Sequence, residues 1–280
     1  MTRIRPNSKP GTRNPKLIVS RDNSLLRRVR AVREGKVDDL IFVEGLRLCQ
    51  EALTSNLEIE AVIYSDHITR KDTAEKLIDQ LAARAQSSAS VSEKLLESVS
   101  YTKTPQGIVV IAARPPGDPK TFAENQPAQP LIVILHETNN PVNAGAIMRT
   151  AEAAGATGVI ATTNTADPFS PKALRGAMGS AFRLPVWRGA TLVQVWEWCR
   201  GRKIKLICAD VTGKMIFSEI DWRKPIALLV GRESAGLLPD ELALADVSVR
   251  IPMKGSVESL NVGVATGVIL YEAARQRAQN

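Results

Sequence analysis

The sequence predicts an α/β protein in which a smaller N-terminal α/β domain precedes a C-terminal domain built on a parallel sheet. Short apolar strands alternate with helices along most of the chain, which is the pattern of βαβ units. A proline-rich stretch at residues 114–130 interrupts this alternation. The length of 280 residues is also typical of about two domains.

The N-terminal part is predicted to hold a basic arm and a small α/β domain. Residues 1–16 are rich in Pro, Arg and Asn, so we expect a disordered arm there. Residues 17–113 form the α/β domain, beginning with apolar residues at helical spacing between Asn23 and Arg33. Its further predicted elements are strands at 40–43, 61–64 and 107–112 and helices at 46–53, 73–83 and 92–99.

Residues 114–130 are predicted to be a linker. They include Pro115, Pro116, Pro119, Pro127 and Pro130, and such a composition favours a stiff, extended connector. The alternation then resumes over residues 131–280. The predicted strands are 131–135, 158–161, 205–209, 225–230 and 247–251, and the predicted helices are 143–154, 170–180, 192–200, 240–245 and a long one from about Ser259 to Ala278.

Positive charge is concentrated at the N-terminus. Residues 1–36 contain eleven Lys and Arg and two acidic residues, a net +9, whereas the whole chain carries +8. A local excess of this kind is typical of a surface that binds phosphate backbones, although a solvated tail that aids solubility would look similar. The candidate RNA-binding residues are Arg3, Arg5, Arg13, Lys16, Arg27, Arg28 and Arg30.

Composition argues against a membrane protein, a secreted protein and a metal-binding protein. No apolar run reaches the roughly 18 residues of a membrane span, and the N-terminus lacks the apolar core of a signal peptide. We therefore expect a cytoplasmic protein that does not bind membranes. Cys49, Cys199 and Cys208 show no CxxC spacing, which favours buried free thiols. With two histidines, no metal site is expected.

Three polar segments each follow an apolar strand in the C-terminal half. They are residues 136–149, residues 231–236 and residues 251–261. Segments that leave the carboxyl ends of parallel strands meet at one edge of the sheet, where ligands bind. Taken alone, the third segment could equally be an ordinary strand–turn–helix with a good N-cap. No dinucleotide-binding glycine pattern, P-loop, GxSxG or HExxH is present in the sequence.

Together the three segments resemble the motifs of the SpoU (TrmH-like) family of RNA ribose 2′-O-methyltransferases, within the SPOUT superfamily. Residues 17–113 look similar, more loosely, to the substrate-binding domain of that family. The matched positions are Asn143, Gly145 and Arg149 in the first segment, Gly231 and Glu233 in the second, and Ile251, Pro252, Met253, Gly255, Ser259, Leu260, Asn261 and Val262 in the third.

The resemblance implies a trefoil-knotted parallel sheet, S-adenosyl-L-methionine as cofactor and a homodimer formed through the C-terminal domain. It implies a catalytic role for Arg149, which we expect to grip a phosphate and stabilise the developing alkoxide. The other implied catalytic residues are Asn143, Glu233, Ser259 and Asn261, and the implied cofactor-binding residues are Gly231, Ile251, Met253, Ser259, Leu260 and Asn261.

The expected activity is methylation of a ribose 2′-hydroxyl in RNA, with 23S-type ribosomal RNA favoured by the large N-terminal domain. The alternatives are a tRNA 2′-O-methyltransferase and a non-catalytic RNA-binding or ribosome-assembly protein. A base methyltransferase is disfavoured by the resemblance of Ser259, Leu260 and Asn261 to the ribose-modifying motif.

Overall fold

The computed structural model describes residues 16–68, 72–233 and 235–279. The chain divides into two compact units, residues 1–113 and residues 114–280. Arg3, Arg5 and Arg13, and the rest of the predicted arm up to residue 15, lie outside the described residues. Lys16 is described, and it lies in a strand instead of a disordered arm. Pairing with a neighbouring strand explains this difference, because Lys16 is in register with Ala89.

The first unit is built on a five-stranded sheet with the order β1-β4-β3-β5-β2. Strand β5 runs antiparallel to β2 and β3, and the remaining pairs are parallel. The strands are β1 (Lys16–Ile18), β2 (Leu40–Glu44), β3 (Ile59–Ser65), β4 (Ser87–Val91) and β5 (Ile108–Ala113). The helices are α1 (Ser24–Arg33), α2 (Leu46–Thr54), α3 (Asp72–Arg84) and α4 (Glu93–Val99).

The second unit is built on a seven-stranded, fully parallel sheet with the order β10-β12-β9-β11-β6-β7-β8. The strands are β6 (Leu131–Leu135), β7 (Gly158–Thr162), β8 (Val186–Ala190), β9 (Lys205–Ala209), β10 (Met215–Ile216), β11 (Ile226–Val230) and β12 (Val247–Arg250). The helices are α5 (Pro119–Glu124), α6 (Pro141–Ala153), α7 (Pro171–Ala177), α8 (Ser180–Arg183), α9 (Leu192–Gly201), α10 (Pro239–Leu242) and α11 (Val262–Arg277).

The strand order of the second unit creates a switch point in the sheet. The chain lays down β6, β7 and β8 outward in one direction, and its later strands then lie on the other side of β6. Ligands of open α/β sheets bind beyond the carboxyl ends of the strands at such a point. Strands β6, β7 and β11 are buried along their whole length. The loop residues that follow their carboxyl ends are therefore held by a rigid sheet.

The stretch 114–130 differs from the predicted extended linker. Asp118 accepts hydrogen bonds from the backbone N–H groups of Lys120 and Thr121, and Pro119 stands at the first helical position of α5. Proline is well tolerated there because the first N–H groups of a helix have no intrahelical partner. Phe122 of this helix is buried, and its ring lies 6.2 Å from that of Trp187. The predicted linker is therefore part of the second unit.

The three cysteines are free and buried, which confirms the prediction made for them. Burial raises the pKa of Cys199 to about 12 and that of Cys208 to about 11. Burial also raises the pKa of Cys49. The thiols are therefore protonated at neutral pH and serve as small core residues. Among the described helices, none has the length and apolar character needed to cross a membrane.

Candidate active site

A cavity of about 360 Å³ lies beyond the carboxyl ends of β9, β11 and β12. It brings together seven of the residues that the sequence singled out. These are Gly231, Glu233, Ile251, Met253, Ser259, Leu260 and Val262. Glu258 of the third segment also lines the cavity, as do Asp210 and Val211, which the sequence analysis did not single out. The signal that could have found Asp210 and Val211 is their position directly after β9.

The start of α11 differs from the sequence prediction. The helix begins at Val262 and not at Ser259, because Asn261 is the N-cap. Its side-chain oxygen accepts from the backbone N–H groups of Gly263 (2.9 Å) and Val264 (3.4 Å). These N–H groups are therefore already partnered and do not form a free ligand site. Ser259 remains in the preceding loop, where it lines the cavity.

Asn261 also connects the third segment to the first. Its Nδ2 donates to Oδ1 of Asn143 at 3.5 Å, at the edge of hydrogen-bonding distance. Helix α6 begins at Pro141 and not at residue 143 as predicted, because Asn140 is its N-cap and accepts from the N–H of Val142. The side chain of Asn143 lies in the first turn instead and is available to Asn261.

Gly145 allows α6 and α7 to approach each other closely. A Cβ built at Gly145 would lie 2.2 Å from the carbonyl oxygen of Ala173 and 3.1 Å from the backbone nitrogen of Ala177. Gly176 faces Gly145 from the other helix, and a Cβ built at Gly176 would lie 3.3 Å from the Cα of Gly145. The space beside Gly145 is therefore filled by the backbone of α7.

Arg149 lies on the exposed side of α6, next to the helical face that α11 covers. A Cβ at Gly263 of α11 would lie 3.8 Å from Ile147, and one at Gly267 would lie 3.5 Å from Thr150. Ile147 and Thr150 therefore lie on the face of α6 that α11 covers. Arg149 is exposed, and within the described part of the chain it makes no hydrogen bond or ion pair. It is absent from the residues that line the cavity. Its guanidinium is therefore available to bind a ligand.

The second segment forms a tight turn beside the cavity. The backbone N–H of Gly236 donates to the carbonyl of Arg232 at 3.2 Å, and Gly236 has φ +62°. A Cβ at Gly231 would lie 2.9 Å from the backbone of Gly236, so the turn closes on itself only with glycine at 231. Glu233 is exposed and lines the cavity without a hydrogen bond to the described residues.

A network of charged side chains holds this turn in place, and sequence reasoning missed it. Arg232 donates to both carboxylate oxygens of Glu241, at 2.7 and 2.8 Å, and to Glu137 at 2.8 Å. The buried ring of His136 lies 2.9 Å from Glu241 and 3.0 Å from Thr162. The Arg232 guanidinium lowers the pKa of Glu241 to about 2, so this carboxylate stays charged at neutral pH.

The residues of the cavity suit a cationic, partly apolar ligand. Ile251, Leu260 and Ile269 supply apolar surface, and Asp210, Glu233 and Glu258 supply carboxylates. The one described arginine in the wall, Arg232, is already paired with two carboxylates. The volume lies within the range of about 300–1,000 Å³ that is usual for small-molecule sites. S-adenosyl-L-methionine, which has an aromatic base and a sulfonium, fits this set of groups.

The basic residues predicted on α1 differ in availability. Arg27 is exposed, but Arg28 is paired with Glu60, to which its Nη2 donates at 2.8 Å. Arg30 donates to the backbone carbonyl of Arg21, also at 2.8 Å. The positive charge of α1 is therefore partly used within the first unit.

Comparison with known proteins decides the family. Residues 130–271 match the SpoU rRNA Methylase family, and residues 25–110 match the MRM3-like substrate binding domain. The chain belongs to the SpoU family. This assignment confirms the resemblance drawn from the three polar segments, and it identifies the chain as a methyltransferase.

Individual relatives match the SpoU chain over both units. A 23S rRNA (uridine(2479)-2′-O)-methyltransferase of Streptomyces viridochromogenes is 31% identical over 84% of this chain and 83% of its own length. The 23S rRNA (guanosine(2553)-2′-O)-methyltransferase RlmP of Bacillus subtilis is 28% identical over 88% and 92%. The crystal structure of an AdoMet-bound rRNA methyltransferase from Sinorhizobium meliloti is 31% identical, covers 93% of this chain and 97% of that one, and superposes with a TM-score of 0.81.

These matches confirm three predictions for the SpoU chain. The fold is that of the SPOUT methyltransferases, with an N-terminal domain followed by the parallel-sheet SpoU domain. The chain is an enzyme, and its cofactor is S-adenosyl-L-methionine.

Proposed function

We propose that this SpoU enzyme transfers the methyl group of S-adenosyl-L-methionine to a ribose 2′-hydroxyl of 23S-type ribosomal RNA. The observation that carries the proposal is the meeting of Asn143 and Asn261 beside a cavity suited to the cofactor. Arg149, which has no partner among the described residues, lies on the same helix as Asn143. The relatives described above match both units and are named for ribosomal RNA, which supports this substrate over tRNA.

Arg149, Asn143 and Asn261 have different roles in the proposed reaction. When bound, S-adenosyl-L-methionine supplies an electrophilic methyl group. Arg149 binds the phosphate beside the target ribose and stabilises negative charge that develops on the 2′-oxygen, because a guanidinium presents several donors and does not give up its proton. Asn143 and Asn261 orient the ribose or the arginine.

Two further residues act from the cavity wall. Glu233 is exposed and lines the cavity, and we assign it to orienting the 2′-hydroxyl, whose proton passes to solvent as the O–CH3 bond forms. Ser259 binds near that hydroxyl from the loop before α11. Gly231, Ile251, Met253 and Leu260 hold the adenosyl part of the cofactor. No step in this scheme requires a metal ion or a membrane, and ribosomal RNA as substrate supports a cytoplasmic location for the reaction.

The experiment that tests the function is a map of ribose methylation. Unmodified 23S rRNA transcribed in vitro is incubated with the full-length protein and labelled S-adenosyl-L-methionine, and the modified position is found by its resistance to alkaline cleavage. We expect one dominant 2′-O-methylated nucleotide. Label that appears only in a parallel tRNA reaction would favour the tRNA alternative, and cofactor binding without transfer to any RNA would favour a non-catalytic protein.

A second part of the proposal is a homodimer formed through the C-terminal domain. Val142, Ala146, Arg149 and Ala153 form an exposed stripe at helical spacing on α6. On α11, Val264 (54% exposed), Val268 (39%) and Tyr271 (57%) form another. The two helices pack against each other, so the stripes form one largely apolar face. A second copy of the chain on this face would enclose Arg149 at the interface, near the cofactor cavity.

We expect Val268→Glu to convert the dimer into a monomer, because it places an uncompensated charge in the centre of the apolar face. Molar mass measured by light scattering after size exclusion checks this. Val193→Glu is the matched control, since Val193 is a comparably exposed valine on α9 of the same unit (51%). A Val268→Glu protein that keeps the mass of the wild type would contradict the proposed interface.

The third part is the trefoil knot of the SPOUT superfamily. The order of the sheet supports it, because β11 inserts between β6 and β9 while β12 passes to the far side of β9. The loop 251–261 and α11 then return to pack on α6. We propose that this return threads the C-terminal part of the chain into the knot.

A further inference from the structure

A basic patch lies at the edge of the second unit opposite the cofactor cavity. It consists of Arg200, Arg202, Lys203 and Lys205, all exposed, at the end of α9 and the start of β9. None of these four side chains forms an ion pair within the part of the chain that the structure describes. Lys224 lies close by, because the backbone N–H of Lys205 donates to the carbonyl of Pro225.

Two tryptophans hold the arginines of this patch. The guanidinium of Arg200 lies 4.6 Å from the ring centre of Trp196, and that of Arg202 lies 4.6 Å from the ring centre of Trp198. Each arginine follows its tryptophan by four residues, so the pairs stack along the helix surface. Stacking restricts the arginine while leaving the N–H groups at its edge free to bind a phosphate.

The second of these tryptophans is itself fixed by the core. The ring of Trp198 lies 5.6 Å from Phe122 and 5.9 Å from Trp187, both of which are buried. Arg202 is therefore anchored to a rigid base. Two acidic residues lie near the four side chains, and a third, Asp221, pairs with Lys224. Glu197 is exposed, and Asp246 accepts a hydrogen bond from the backbone N–H of Leu206. The four basic side chains outnumber them.

The position of the patch excludes contact with the target nucleotide. Lys205 begins β9 and Ala209 ends it at the cavity. Four residue steps at about 3.3 Å each separate the two by about 13 Å of strand. An RNA whose target ribose sits at the cavity can reach this patch only with another part of its backbone.

We propose that the patch formed by Arg200, Arg202, Lys203 and Lys205 is a second RNA-binding surface of the catalytic unit, which binds phosphates of structured RNA away from the modified nucleotide. The proposal rests on the proposed function, since it takes RNA as the ligand. The charge and the stacked arginines favour a phosphate backbone, because such surfaces bind without reading sequence.

The test is the salt dependence of RNA binding by the full-length protein. We compare wild type with the quadruple variant Arg200→Gln, Arg202→Gln, Lys203→Gln and Lys205→Gln, using in vitro transcribed 23S rRNA as the probe. Each lost phosphate contact lowers the slope of log K against log salt by about 0.7–0.9, so the slope should fall by up to about 3. Affinity at low salt should fall by tenfold or more, while S-adenosyl-L-methionine binding stays unchanged.

Two controls make the result specific. The double variant Arg200→Lys and Arg202→Lys keeps the charge, and it should retain most of the slope. Cofactor binding is the second control, because the cavity lies at the other end of β9 from the patch: the affinity for S-adenosyl-L-methionine should be equal for wild type and quadruple variant. A slope for 23S rRNA that the quadruple variant leaves unchanged would overturn the proposal, as would an equal loss in the charge-conserving variant.

An anionic membrane is the other surface that such a patch could bind. Vesicles of phosphatidylcholine and phosphatidylserine in equal parts test this, and binding that is lost in the quadruple variant while the RNA slope is unchanged would overturn the proposal. The methylation map described above is read separately. Absence of methylation by the wild type would reject the proposed function without altering the measured salt slope.

Discussion

Replacing Arg149 with alanine is expected to abolish most of the methyl transfer while leaving cofactor binding intact. Arg149 is exposed on α6 and outside the cavity wall, so its removal changes neither the core nor the cofactor site. If it stabilises charge on the 2′-oxygen, its loss should lower kcat by about 10²–10³-fold. Steady-state transfer of labelled methyl to 23S rRNA at saturating substrates measures kcat, and equilibrium dialysis measures cofactor affinity.

The matched control for this prediction is Arg223→Ala. Arg223 is an exposed arginine of the same unit that lies before β11 and pairs with Asp221, away from the cavity. It should transfer methyl at the wild-type rate. A third variant, Arg149→Lys, keeps the charge but loses the two-donor geometry, and should recover only part of the rate. An Arg149→Ala protein with wild-type kcat would remove the residue from the mechanism.

Replacing Gly145 with alanine is expected to destabilise the second unit. The added Cβ would lie 2.2 Å from the carbonyl oxygen of Ala173, which belongs to the backbone of α7 and cannot rotate away. Forcing atoms into such a contact costs about 1–3 kcal/mol of unfolding free energy. For a unit of this size that lowers Tm by roughly 2–12 °C, which thermal unfolding followed by circular dichroism would detect.

Gly201 provides a control, because its substitution by alanine should raise the free energy of unfolding and not lower it. It is also a helical glycine of the second unit, and no atom lies within 4 Å of a Cβ built there. Gly201→Ala should therefore stabilise the protein by about 0.5–1 kcal/mol through the reduced freedom of the unfolded chain. Equal effects from the two substitutions would show that the contact between α6 and α7 does not limit position 145.

Local signals predicted much of the fold. The apolar runs at β6 and β11 are strands of the structure, since a fully buried parallel strand is apolar along its whole length. Ser170 with Pro171 marks the start of α7 as expected. Strand β4 was missed because its sequence is largely serine. Pairing with β1 and β3 makes it a strand, and Ala89 and Val91 are buried in the core.

The site could be predicted only in part, because some of its contacts depend on tertiary packing and not on local sequence. The three segments were found because each follows an apolar strand, and the cavity contains members of the second and third. The choice of Asn261 over Ser259 as the cap of α11 depends on where the loop meets α6. The pairing of Arg232 with Glu137 joins residues 95 positions apart in the chain, so no local pattern of the sequence records it.

The burial of all three native thiols makes the protein convenient for spectroscopic study. Because Cys49, Cys199 and Cys208 are buried and protonated, a maleimide dye has no reactive native position at neutral pH. A single cysteine introduced at Val257, which is 54% exposed in the loop before α11, would therefore carry the dye alone. Fluorescence from that position would report how the loop responds when the cofactor is added, without first removing the native cysteines.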